Sequence, residues 1–146
     1  MEPTFEVQLK IRKPVSEVFE AVVNPRELSG YFTQEARGRL EEGATVWWRF
    51  AEAEGEFPVQ VRQVVRNERI VLEWESGEGG YDTTVEMRFA PLPGDETMVQ
   101  IRESGWRDTP EGVASSYDNC GGWMHMMCCL KAHLEYGINL REGGAR

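Results

Sequence analysis

The sequence predicts an α+β domain. A curved antiparallel sheet of about seven strands wraps around one long C-terminal helix, and two short helices follow the first strand. Three observations lead there. The stretch 109–136 is the longest candidate helix, and its centre, Gly121-Gly122-Trp123-Met124-His125-Met126-Met127-Cys128-Cys129-Leu130, is apolar almost all the way round, the pattern of a buried helix. Ahead of it, strand-like segments follow one another with little helical interruption. The connections between them are too short for the crossovers that parallel strands need, so neighbours run antiparallel.

In the first strand Phe5, Val7, Leu9 and Ile11 alternate with Glu6, Gln8, Lys10 and Arg12, the period of a half-buried strand. Lys13-Pro14 ends it, because proline cannot donate to a ladder but suits a helix start. Val15, Val18, Phe19, Val22 and Val23 then recur at helical spacing, and Asn24-Pro25 stops that helix by pushing Asn24 out of the α region. A second short helix is expected over 26–31, with Leu28, Tyr31 and Phe32 facing inward.

Six strands follow at about 35–40, 44–51, 56–65, 69–75, 83–91 and 97–104. The turns between them are short and polar, such as Glu41-Glu42-Gly43, Arg66-Asn67-Glu68 and Pro93-Gly94-Asp95. The long helix has its own punctuation. Thr109 suits the N-cap, Pro110 the first helical position and Gly137 the left-handed residue that ends it. Gly112, Gly121 and Gly122 inside it cost roughly 1 kcal/mol each relative to alanine. The glycine pair marks a kink or a place where the helix backbone lies against the sheet.

The 146 residues, 40% hydrophobic and 28% charged, suit a single domain over 1–146 with one core, and 141–146 is expected to fray. A net charge of −9 argues against a nucleic acid or an anionic membrane as partner. No signal peptide and no membrane-spanning run is read, and the odd set Cys120, Cys128 and Cys129 suits reduced thiols in the cytoplasm.

Candidate chemistry is sparse. His125 and His133 are eight residues apart, about 12 Å along a helix, too far to share one metal ion. Neither a metal nor an organic cofactor is expected. Cys128-Cys129 lacks a defined activating setting, so packing is the default role. Lys131 falls inside the apolar arc and is expected to snorkel its ammonium to the edge; a sheet carboxylate or a ligand anion are other partners for it. Glu103 continues the inward register of Val99 and Ile101. It either sits at the sheet rim, paired with an arginine such as Arg49, Arg102 or Arg107, or lies in a cavity as a ligand-orienting or acid–base group.

Lys13-Pro14-Val15-Ser16-Glu17-Val18-Phe19, Asn24-Pro25 and Tyr31-Phe32 resemble the opening of START-like (SRPBCC) proteins. Glu103-Ser104-Gly105-Trp106 and the run from Gly122 to Glu135 are similar to the branch related to the heat-shock protein 90 ATPase activator. The resemblance implies a helix-grip fold with a cavity between concave sheet and long helix. It also implies a range of roles, from lipid and hormone binding through aromatic cyclisation to chaperone assistance. The eukaryotic co-chaperone carries a further N-terminal domain, for which this chain has no room.

The leading expectation is a binding module for a small apolar or aromatic metabolite. Trp74, Trp106, Tyr117, Trp123, Met124 and Met127 supply the apolar contacts and Glu103 the orientation. Tyr117, Met124 and Met127 are read as sharing one broad helix face. The alternatives are a co-chaperone-like domain that docks on a chaperone or other protein, and a cyclase, dehydratase or hydrolase using Glu103 or a histidine in the same cavity. The chain is expected to be a monomer or a homodimer.

Overall fold

The computed structural model describes residues 2–143. The strands are β1 (Thr4–Ile11), β2 (Glu35–Arg37), β3 (Thr45–Arg49), β4 (Glu56–Val65), β5 (Arg69–Glu75), β6 (Asp82–Leu92) and β7 (Glu96–Ser104). The helices are α1 (Val15–Val23), α2 (Pro25–Leu28) and α3 (Pro110–Tyr136). All seven strands form one antiparallel sheet in the order β1-β7-β6-β5-β4-β3-β2. The sheet is open and curved and grips α3, as the sequence predicts.

Alternation places the core. Val46 and Trp48, Val59 and Val61, Ile70 and Leu72, Val85 and Met87, and Val99 and Ile101 form the inward rows. Val18, Phe19 and Val22 of α1 and Trp123, Met126, Met127 and Leu130 of α3 complete the same cluster. Contact between such apolar surfaces is the main favourable term in folding.

The helix ends follow the sequence closely. Thr109 Oγ1 accepts the Gly112 amide at 3.0 Å, and Gly137 closes α3 at φ 65°. Gly112 is there for space: a Cβ on it would lie 2.0 Å from the Arg107 carbonyl oxygen. Asn24 ends α1 and caps α2, accepting the Arg26 amide at 2.9 Å. α2 stops at Leu28, short of the expected 31, and the chain continues in turns; Leu28, Tyr31 and Phe32 are nevertheless buried as expected. β2 ends at Arg37 because Gly38 takes φ +99°, and the Leu40 amide then bonds Val23 at 3.1 Å instead of a ladder partner.

Polar groups fasten the rim between β1 and α3. Glu135 accepts the Arg12 amide at 2.9 Å, the Arg12 guanidinium at 2.7 Å and Lys131 Nζ at 2.6 Å. Lys131 also bonds the Lys10 carbonyl at 2.8 Å, so it snorkels to the edge. Of the tail expected to fray, Arg141 to Gly143 form a turn in which Arg141 pairs with Glu52. Residues 144–146 lie outside the described residues.

Candidate functional site

Glu103 sits where the inward row of β7 reaches the end of the sheet, and it is fully buried. Its partners come from three other elements. Trp74 of β5 donates Nε1 to Oε2 at 3.0 Å, and Thr83 of β6 donates Oγ1 to the same oxygen at 2.6 Å. From α3, Trp123 donates Nε1 to Oε1 at 2.8 Å and Asn119 Nδ2 reaches both oxygens at 3.1 Å. Among the described residues no cationic side chain forms an ion pair with it. Arg49 pairs with Glu35, and Arg107 lies over the Tyr81 ring. The expected arginine partner at the rim is replaced by uncharged donors inside the core. Two of those donors are indoles, which can only donate, so the niche is built around an acceptor.

The same donors form one wall of a cleft. The rings of Trp74 and Trp123 lie 5.5 Å apart, and Phe32 packs on Trp123 at 5.6 Å and on Phe50 at 5.1 Å. Phe57 extends the row beyond Phe50 at 6.0 Å. Between this aromatic row and α3 lies a space of about 600 Å³. Gly121 and Gly122 form its helical side, and a Cβ on either would meet no atom within 4 Å. The helix backbone does not lie against the sheet there; the two glycines leave it bare toward the cleft. Glu75, Asp118, Asn119 and His125 stand around it, and the Arg141–Glu52 pair closes one side. A second hollow of about 450 Å³ shares Glu52 and Arg141 but is lined largely by polar groups such as Ser29, Thr33, Gln34 and Asn139.

The expected ligand residues divide. Trp74, Tyr117 and Trp123 line the cleft. Glu103 lies directly behind it and touches it only through Trp74, Asn119 and Trp123. Met127 is sealed in the core and Met124 packs half-buried against it. Trp106 is buried elsewhere, against Phe5 at 5.7 Å. Tyr117, 73% exposed at the cleft, and Met127, sealed in the core, lie on one broad arc of α3 but do not face the same space. At about 100° per residue, ten residues place Met127 roughly 80° round the helix from Tyr117.

Asn119, Phe50, Phe57 and Arg141 were missed, while His125, one of the two histidines weighed, does stand at the cleft. Asn119 carried a signal: it stands four residues before Trp123, on the same helix face. The other three come from the segment after β3, from β4 and from the turn after α3, where no spacing rule connects them.

Cys129 Sγ lies 3.7 Å from His125 Nε2, but burial pushes its thiol pKa up and disfavours the nucleophilic thiolate. His133 instead meets Glu27 at 3.1 Å and packs on the Tyr31 ring at 5.1 Å. Among the described residues no helix is long and apolar enough to cross a membrane.

The family model described as "Activator of Hsp90 ATPase homolog 1-like protein" matches residues 12–135. No curated protein matches the chain. Among solved structures the chain is similar to a protein from Staphylococcus saprophyticus, with TM-score 0.79 and 24% identity over 95% of this chain and 96% of that one. It is similar to the Aha1 dimer from Colwellia psychrerythraea, with TM-score 0.77 and 20% identity over 92% and 98%. DynU16, a protein of the dynemicin biosynthetic locus, gives TM-score 0.81 and 23% identity over 94% of this chain and 49% of that one. At these identities the likeness is one of fold.

Proposed function

The chain belongs to the activator of Hsp90 ATPase homolog 1-like family, and from that premise we propose that it binds a small apolar or aromatic compound between the sheet and α3. The observation that carries this reading is the aromatic cleft itself. Its volume of about 600 Å³ falls in the range of small-molecule sites, and such sites are apolar with a few placed polar groups. Phe32, Phe50, Phe57, Trp74 and Trp123 supply the apolar surface, and Asn119 is a polar group of the lining that shares the Glu103 carboxylate with both indoles. Glu103 serves as a positioning residue, because it holds Trp74, Trp123 and Asn119 in place. The free cysteines suit the reducing cytoplasm as the compartment.

The test is native mass spectrometry of the protein exposed to extract of its host cells, alongside a Gly122→Leu variant. The leucine fills the cleft and favours the helix, so binding and stability move apart. A small molecule retained by the wild type and lost from the folded variant supports the reading. Equal retention by both places the ligand elsewhere.

A second reading, a protein-docking module, draws on Tyr136, Ile138 and Leu140, which are 60%, 53% and 46% exposed at and beyond the end of α3. A second copy of the chain is the simplest partner. Sedimentation velocity tests it: a dimer dissociated by Ile138→Asp with Leu140→Asp supports it, and a monomer at high concentration removes it.

A further inference from the structure

We infer that the cleft selects an aromatic ligand carrying a positive charge, such as a protonated aromatic amine. The inference rests on the cleft being the binding site and adds the charge of what enters it.

The first argument is charge balance. Arg141 is the only Lys or Arg lining the cleft among the described residues, and it is already paired with Glu52. Glu75 and Asp118 remain at the mouth. Glu75 accepts no more than a long bond of 3.4 Å from the Gly80 amide. Behind the aromatic wall stands the Glu103 carboxylate, bonded by five uncharged contacts and, among the described residues, by no cation. Those dipoles stabilise the carboxylate without cancelling its charge, and a charge in a low-dielectric setting acts over distance. The potential in the cleft is therefore negative from its mouth and from its back wall.

The second argument is the polarity of the groups left for a ligand. Both indole N–H edges point to Glu103, so neither is available to donate to a ligand. What the indoles present is their π surface, negative at the face, and donation to an anion enriches it further. Tryptophan is the best of the aromatic residues at holding a cation over its ring. Asn119 engages its Nδ2 with both Glu103 oxygens, which leaves its carbonyl oxygen, an acceptor. Faces and acceptors suit a ligand that donates hydrogen bonds and carries positive charge. A carboxylate or phosphate would meet neither an unengaged cation nor an unengaged indole donor there.

The test uses three matched probes: 3-methylindole (neutral), tryptamine (cationic) and indole-3-propionate (anionic). Each is titrated calorimetrically into the full chain at low salt, at 0.5 M salt, and into a Glu75→Gln, Asp118→Asn variant. Tryptamine should bind at least about tenfold more tightly than indole-3-propionate, a ratio in keeping with one partly desolvated cation–π contact plus Coulomb attraction. High salt and the double variant should both shrink that ratio, while 3-methylindole binding stays the same. If 3-methylindole binds but tryptamine shows no advantage over indole-3-propionate, the charge selectivity is wrong and the aromatic cleft stands. Binding of none of the three, with amide resonances of residues 117–123 unshifted, overturns the aromatic-binding reading and the selectivity with it.

Discussion

Trp123 Nε1 stands 2.8 Å from Oε1 of Glu103, and this bond ties α3 to the end of β7 inside the core. Thr83, Trp74 and Asn119 complete a shell in which every group donates. A Glu103→Gln substitution keeps the shape but turns an amide donor against donors. An unsatisfied buried donor costs about 1–3 kcal/mol, so the variant should lose roughly 2 kcal/mol in urea unfolding. An unchanged midpoint would show that the shell contributes nothing to stability.

Two glycines of one helix should respond to alanine with opposite signs. Gly121→Ala places a methyl in open space and should stabilise the protein by about 1 kcal/mol through helix propensity. Gly112→Ala gains the same propensity but drives its Cβ into the Arg107 carbonyl, and should lose about 2 kcal/mol or more. Thermal unfolding of the pair reads both. Equal stabilisation by the two would mean that the first turn of α3 yields freely.

Acid should loosen the rim. Burial would raise the Glu135 pKa, but the Arg12 amide, the Lys131 ammonium and the Arg12 guanidinium outweigh it and hold the group at about 2, against an ordinary 4.5. A depressed carboxylate contributes stability above its unfolded value and loses it as pH falls, here between about 4.5 and about 2. Arg12 is half exposed, so solvent screening reduces the contribution to about 2 kcal/mol. Glu135→Gln should be less stable than wild type by about that amount at pH 7. The gap should narrow as pH approaches 2, followed by chemical denaturation at each pH.

The three thiols should alkylate at different rates. Cys129 is fully buried and its thiol is held protonated by burial, whereas Cys120 and Cys128 are partly accessible. Iodoacetamide labelling followed by peptide mass mapping should modify Cys129 last. Rapid labelling of Cys129 in the folded protein would show that His125 activates it.

Most of the frame was legible in the sequence. β4 and β5 fall where period-two patterning and turn residues put them, and Thr109, Pro110 and Gly137 bound α3. β2 was overextended because the left-handed turn at Gly38 is a backbone choice that the residues on either side do not announce. Half of the site was legible too. The register of β7 pointed Glu103 inward, but its partners depend on how β5, β6 and α3 meet, which is tertiary. Met127 was assigned to a ligand because it is apolar and shares one broad helix face with Tyr117 and Met124, a placement equally open to a core methionine. The bare flank at Gly121 and Gly122 was invisible, since spacing records side chains and the feature there is their absence.

The pairing of β1 with β7 has a consequence for how the molecule is made. Val7 lies opposite Ile101 and Ile11 opposite Thr97, so β1, made before the other strands of this sheet, waits for β7 before it has a neighbour. Hairpin-linked strands from β2 to β7 can zip in the order of synthesis, yet β1 stays an unpaired edge throughout. Closing so distant a contact is slow, and an open strand edge is the hazard of that interval. A nascent chain stalled before Glu96 would carry β1 with no ladder to join, the state in which this protein most needs a holding partner.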